Sequence, residues 1–237
     1  MSFMKKNITA LVTSASLLVG METILDSIEI YMQENKREDV KIYRILKDDN
    51  FIVLHSEFKE DGVIKVGFDI LSIKDKKITK SWKNITLKAP NNPSGHTQID
   101  GVIEIDTKQD IQKNKKIVKD FINDILIQQK DNLDTYIDKN TYIQHNSDIK
   151  DGLEGLMEAL QYMQKNHIKL KYSHNILLLG EGNFVLAVSQ GELGAIDSNG
   201  KAPEVIFYDL FRLQNGKLVE HWDIITPFIQ PLSFFEK

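Results

Sequence analysis

Apolar residues recur along this chain with two periods, one helical and one alternating, and the order of those periods is written twice. Met21, Ile24, Leu25, Ile28 and Met32 stand three and four residues apart, which predicts a helix over 21–34. Strand-like runs follow at 40–46, 51–58, 63–73 and 78–87, separated by Asp48-Asp49-Asn50, Asp61-Gly62 and Asp75-Lys76-Lys77. Those separators are hairpin turn chemistry, so the first unit reads as a curved antiparallel sheet with a helix against it. The second pass opens on a longer helix at 107–129, where Ile111, Ile117, Val118, Phe121, Ile122, Ile125 and Leu126 share a face. A short helical or turn segment at 133–137 leads to Tyr142-Ile143-Gln144-His145-Asn146. Helix 152–165 and strands at 168–179, 183–193, 205–214 and 217–225 come next, with Asn215-Gly216 a clear hairpin turn.

The repetition extends to residue identity. Gly20-Met21-Glu22 followed by Tyr31-Met32-Gln33 answers Gly152-Leu153-Glu154 followed by Tyr162-Met163-Gln164, and Asn50-Phe51-Ile52 answers Asn183-Phe184-Val185. Phe68-Asp69-Ile70-Leu71 answers Tyr208-Asp209-Leu210-Phe211, and Ser81-Trp82-Lys83 answers His221-Trp222-Asp223. A period of roughly 130 residues is too long for a solenoid unit and predicts duplication of a whole domain. The first copy, 1–89, lacks the long opening helix and reads as truncated. Pro90-Asn91-Asn92-Pro93-Ser94-Gly95 marks a linker over 90–106, and 107–237 reads as the complete domain holding the candidate pocket. A further expectation is that exposed sheet faces of the two copies pack on each other.

Composition narrows the function classes. An apolar share of 41% with 27% charged residues is that of a soluble globular protein, and a net charge of −4 argues against nucleic acid as the main partner. The lysine-rich run at 108–119 interleaves with apolar residues at helical spacing and reads as a solvated helix face. The chain has no cysteine, which excludes disulfides, thiol nucleophiles and thiolate zinc sites and agrees with the cytoplasmic location expected here. Met4-Lys5-Lys6 and the apolar residues after it superficially resemble a signal peptide. Thr9, Thr13, Ser14 and Ser16 dilute that stretch, and Lys6-Asn7-Ile8 aligns with Lys139-Asn140-Thr141, so residues 1–19 are expected to belong to the fold. No apolar run reaches the length of a membrane span, so no membrane partner is expected.

Polar side chains gather in three segments of the second copy. These are 142–146, Tyr208-Asp209-Leu210-Phe211-Arg212, and Glu220-His221-Trp222-Asp223. Strand alternation puts His221 and Asp223 on one face and Trp222 on the other. Apolar enclosure would push Asp223 toward proton exchange near neutral pH. His145 joins His221 and Asp223 as a candidate, while Asn146 suits a pocket or a turn equally well. Asp209 is matched by Asp69 in the copy that lacks the histidine, which favours a structural role. Arg212 has Asp209 and Glu220 as potential partners. His55, His96, His167 and His174 have no partner at ligand spacing. Gly180-Glu181-Gly182 lacks the third glycine and following helix of a phosphate loop.

Taken together, 142–146 with Asp151-Gly152, then 180–185, 208–212 and 215–223, resembles the SnoaL-like polyketide cyclase group, especially its predicted aldol-condensation branch. That group belongs to the nuclear transport factor 2-like (cystatin-like) superfamily. The resemblance spans about residues 95 to 231 and implies an α+β fold of two tandem cone-shaped domains, each a curved antiparallel sheet wrapped by helices; 94–101 also looks like the linker of two-copy members. By position in the motif, Asp223 would be the general base that removes a proton beside a carbonyl. His145 and His221 would hydrogen-bond the substrate oxygen or the carboxylate, and Tyr142, Asn146, Phe207 and Trp222 would line the pocket. The resemblance implies a small hydrophobic or carbonyl-containing substrate, neither metal nor organic cofactor, and a homodimer through the sheets, although internal duplication offers the same surface within one chain. Ser147 stands where relatives often have proline. The fold also hosts pure binding modules, so a non-catalytic binder of a small hydrophobic ligand is the alternative.

Overall fold

Backbone turns form where the polar separators stand. Asp49, Asp61, Asp75, Lys76 and Asn215 adopt positive φ, the left-handed geometry that lets two twisted strands reverse. The computed structural model describes residues 22–229, so the expectation for residues 1–19 lies outside the described residues. Helix α1 (Glu22–Glu34) precedes the meander β1 (Glu38–Asp48), β2 (Phe51–Glu60), β3 (Val63–Lys74) and β4 (Lys77–Leu87), a four-stranded sheet in the order β1-β2-β3-β4. Helix α2 (Ile111–Phe121) starts later than the periodicity suggests, because the Asp110 carboxylate caps it by accepting from the Gln112 and Lys113 backbone N–H groups. It continues as a π-helical turn (Ile122–Ile127). The two-residue strand β5 (Ile143–Gln144), helix α3 (Gly152–Lys165) and strands β6 (Ile168–Glu181), β7 (Phe184–Ala195), β8 (Glu204–Gln214) and β9 (Lys217–Pro227) complete the chain. The second sheet has the order β5-β9-β8-β7-β6, with β5 parallel to β9 and all other pairs antiparallel. The fold is therefore α+β, and a helix followed by a four-strand meander occurs in each half.

The registers of the two meanders coincide at their last hairpin. Pairing shifts by one residue between Ser72 and Ile73 in β3 and between Arg212 and Leu213 in β8. Each bulge strengthens the twist of the sheet and sets the pairs beyond it. Asp69 then faces Lys83 and Asp209 faces Asp223.

The two sheets stack, β1 against β6 and β4 against β9. Strand alternation sends Val53, Phe68 and Ile70 from one sheet and Leu186, Tyr208, Leu210, Trp222 and Ile224 from the other into one shared core. The Asn84 side chain crosses between them, donating to the Ile224 carbonyl at 2.9 Å and accepting from the Thr226 hydroxyl at 2.8 Å. On the outer faces, α1 buries Ile28, Tyr31 and Met32 against the first sheet, while Val118, Phe121 and Ile122 pack on Val185, Ala187 and Phe211 of the second. Among the described residues no helix is long and apolar enough to cross a membrane.

The segment between the sheets has no regular structure but is bonded to both halves. Asn92 donates to the Gln144 and Ile149 carbonyls at 2.8 and 2.9 Å. Arg44 of β1, which is almost fully buried, donates to the carbonyls of Ile99, Asp100 and Val102, and Trp222 of β9 donates to the same Asp100 carbonyl at 2.9 Å. The backbone passes closest at Gly101, where φ is +88° and an added methyl group would lie 2.1 Å from Glu220 Oε1 and 2.8 Å from His145 Nε2 and the Trp222 ring. Gly101→Ala is therefore expected to cost about 2 to 4 kcal/mol, read as a lower denaturation midpoint with an unchanged slope. A neutral substitution would show that the segment is not pinned there.

Candidate functional site

Strand β5 decides which side chains of the 142–146 segment meet the chemistry. It pairs with β9 so that Gln144 lies beside His221, and successive residues point to opposite faces. Tyr142, Gln144 and Asn146 face a cavity of about 1250 Å3 between the second sheet and helices α2 and α3. On the same wall, β8 presents Phe207, Asp209 and Phe211, and β9 presents His221 and Asp223. Phe121, Leu126, Leu156 and Met163 are among the apolar residues that make up the rest of the lining. The cavity thus has a polar end and apolar walls, the form of a small-molecule site.

Hydrogen bonds tie the polar end into one network. The Asn146 amide donates to Asp223 Oδ1 at 3.0 Å and Oδ2 at 2.7 Å. His221 Nε2 lies 3.2 Å from Asp209 Oδ1, and its Nδ1 lies 3.1 Å from Gln144 Oε1. The Tyr172 hydroxyl of β6 donates to both Asp209 oxygens at 3.2 Å. Tyr172 in turn stacks on Phe207, with ring centroids 4.0 Å apart, and His221 stacks on Phe211 at 4.8 Å.

Burial and charge set the protonation of these groups. Burial pushes the Asp223 carboxyl above its ordinary range and the neighbouring Asp209 adds to the rise, while His221 and the Asn146 hydrogen bond pull it back only partly. Burial also works against charge on His221, but its bond to Asp209 and the field of both aspartates outweigh that and raise its pKa. Burial, with Asp209 and Asp223 adding, raises the Tyr142 and Tyr172 hydroxyls, which therefore stay protonated donors. Asp209, His221 and Asp223 offer donor atoms within 4.8 Å of one another, and hydrogen bonds join His221 to Asp209 and Gln144, Asp209 to Tyr172, and Asp223 to Asn146.

Of the residues singled out from sequence, the fold brings Asp223, His221, Tyr142, Asn146 and Phe207 together at the cavity. It sends His145 and Trp222 elsewhere. His145 follows Gln144 on β5, so period-two alternation turns it to the opposite face, where its ring stacks on Trp222 with centroids 4.5 Å apart. There His145 Nε2 bonds Glu220 Oε1 at 2.9 Å, and Arg212 donates to the other Glu220 oxygen at 2.6 Å. Trp222 is fully buried in the core between the sheets and lines no part of the cavity. Arg212 thus takes Glu220 rather than Asp209.

Three residues of the hydrogen-bonded network were not selected from sequence: Asp209, Tyr172 and Gln144. Asp209 was set aside because Asp69 matches it, yet the two differ in their partners. Asp69 is fully buried and receives two hydrogen bonds from Arg37, at 2.6 and 2.8 Å, and one from the Tyr31 hydroxyl at 2.8 Å. Asp209 has a tyrosine and a histidine but no guanidinium. Counting outward from the Asn215-Gly216 turn would have placed Asp209 opposite Asp223, once the one-residue bulge was included.

No family model matches the chain, and no curated protein matches it. Among solved structures, it is similar to a SnoaL-like polyketide cyclase from Agrobacterium tumefaciens strain C58, at 16% identity over 48% of this chain and 91% of that one, with a TM-score of 0.38. It is also similar to TsrD from Streptomyces laurentii, at 20% identity over 52% of this chain and 91% of that one, with a TM-score of 0.33.

Proposed function

We propose that the cavity of the second half houses a cofactor-independent acid/base enzyme that removes a proton beside the carbonyl of a small, mostly apolar compound. One observation carries this reading. Asp223 is a carboxylate with a raised pKa, held by Asn146 in a fixed orientation, and its open side faces an apolar cavity. An Asp223 oxygen takes the proton, and the C–H electron pair becomes an enolate. The Tyr142 hydroxyl, kept protonated by burial and by the two aspartates, donates to the enolate oxygen. The enolate carbon then attacks a second carbonyl in the same molecule, or is reprotonated, and the Asp223 proton returns to the product. His221 has both ring nitrogens committed to Gln144 and Asp209, so it positions that wall and offsets the paired carboxylates.

The test needs no known substrate. Cyclic and aromatic ketones are incubated with the protein in D2O, and deuterium entering the α-position is followed by NMR. Asp223→Asn is expected to slow exchange by about a hundredfold or more. Binding of the ketones without exchange would favour a non-catalytic ligand carrier. The exchange rate is expected to fall with an acid limb above the ordinary carboxylate range, since only the ionised Asp223 accepts a proton. Asn146→Leu removes the hydrogen bonds that favour the ionised form, so the limb should move to higher pH. An unmoved limb would assign it to another group.

The same shift predicts a stability effect. The folded chain holds the Asp223 proton more tightly than the unfolded chain does. The associated stability is present at low pH and is lost as pH rises through the folded pKa. At neutral pH Asp223→Asn should therefore be more stable than the parent, with the gain vanishing as pH falls into the ordinary carboxylate range. Equal denaturation midpoints at both pH values would contradict the raised pKa.

We further infer that the chain is an internal duplication whose first copy has become a support. The coincident bulges, the shared registers of β3–β4 and β8–β9, and the matched Asp69 and Asp209 support this reading. Arg37→Ala leaves Asp69 buried and unpaired, so it should cost about 3 to 5 kcal/mol while the folded fraction keeps its exchange activity. Loss of exchange in that folded fraction would give the first copy a part in the chemistry.

A further inference from the structure

A second cluster of histidine and carboxylate groups lies on the face of the second sheet opposite the cavity, where the linker crosses β5. His96 and Asp100 come from the linker and His145 from the residue after β5. Sequence spacing gave His96 no partner, and His145 takes no part in the proposed chemistry. The fold brings donor atoms of the three residues within 4.8 Å of one another. His145 Nδ1 lies 2.8 Å from Asp100 Oδ1, and His96 Nδ1 lies 3.8 Å from Asp100 Oδ2. Donor atoms on a tetrahedral zinc ion stand about 3.3 Å apart, a distance these two values bracket.

The outer nitrogens supply an independent observation. His145 Nε2 bonds the buried Glu220 carboxylate at 2.9 Å, and His96 Nε2 bonds Asp151 at 3.1 Å. Each imidazole therefore turns one nitrogen toward Asp100 and the other toward a carboxylate. A carboxylate on the outer nitrogen orients the ring of a metal-ligating histidine. Asp151 stands at the N-terminus of α3, where an aspartate ordinarily caps the helix. Its side chain makes no capping bond and instead holds His96 and the Gln144 backbone N–H. The Thr97 carbonyl lies 2.8 Å from His145 Nδ1 and offers a further oxygen. His96 and Asp100 are partly exposed, which leaves an entry path, while His145 is buried and stacked on Trp222.

We propose that His96, Asp100 and His145 bind a divalent transition ion, zinc by donor set and spacing, which fastens the linker to β5. Two imidazoles and one carboxylate select zinc over calcium or magnesium, whose sites are built from oxygen. The role is structural, because Gln144 separates this group from the cavity by pointing to the other face.

Titration of the metal-stripped full chain with ZnCl2, and with CoCl2 for its visible absorption, tests the assignment. The expected result is saturable binding of a single equivalent, the spectrum of four-coordinate Co2+, and a Tm higher by about 5 °C at a hundredfold excess of free metal over its Kd. His96→Ala and Asp100→Asn alter partly exposed side chains and should abolish all three signals, whereas Asp223→Asn should retain them. Absence of saturable binding would overturn the proposal and leave His145 as an imidazole held between Thr97 and Glu220. Binding that survives His96→Ala but is lost in Asp223→Asn would overturn it too, by placing the ion in the cavity.

Discussion

One buried guanidinium organises the contact between the halves. Among the described residues Arg44 has no carboxylate within ion-pair distance, and burial drags its pKa down while the fields of Glu220 and Asp100 hold it up. A charge withdrawn from water must find donors' counterparts or be expelled. Arg44 finds three backbone carbonyls at Ile99, Asp100 and Val102, the His55 ring nitrogen at 3.1 Å, and the face of Trp222 4.0 Å away. Those carbonyls converge only if the linker bends through Gly101 at positive φ. The same bend gives Trp222 its acceptor and brings the Val102 N–H to Glu220. A single residue of β1 thus fixes the linker, the linker fixes His145 and Glu220, and that pair sits directly behind the wall bearing His221 and Asp223.

Asp69 and Asp209 hold the same register position in their meanders but take different partners. Arg37 satisfies Asp69 so completely that the space beneath the first sheet is closed by Tyr31, Met32 and Ile28. Beneath the second sheet the matching partner of Asp209 is the His221 imidazole, which is shorter and titratable, and a second carboxylate stands opposite at Asp223. Two carboxylates and one imidazole leave excess negative charge in an apolar enclosure. Burial, together with that surplus, is what raises the Asp223 carboxyl above its ordinary range.

Most of the fold was legible because its elements obey simple periods. The hairpin separators placed all eight long strands, and helical spacing placed α1 and α3. The site was less legible. Alternation along β9 correctly separated Trp222 from His221 and Asp223, but the same rule was not carried to β5, where it parts His145 from Gln144 and Asn146. Asp209 was set aside because Asp69 matches it, and its place opposite Asp223 emerges only once the one-residue register shift near Arg212 is counted. Tyr172 reaches Asp209 only across the sheet, from β6 over β7 to β8, and no local pattern reports a contact of that kind. His96 and Asp100 stand four residues apart in the linker, but tertiary structure alone brings them to Asp151 and His145.

A sheet that carries a polar cavity on one face must find its cohesion on the other. Asp209, His221, Asp223 and Gln144 contribute little apolar burial on the cavity side, and α3 has Gly155 as its one buried residue among those described. The opposite face compensates with Trp222, Tyr208, Leu210, Leu186 and Ile224 packed against the first sheet. That face is covered within the chain, while on the cavity side α2 packs on the sheet through Val118 and Phe121 and the cavity opens beside that contact. The first half therefore meets the second sheet twice, packing on the face away from the cavity and bringing Thr86 and Leu87 at the end of β4 to the cavity's edge.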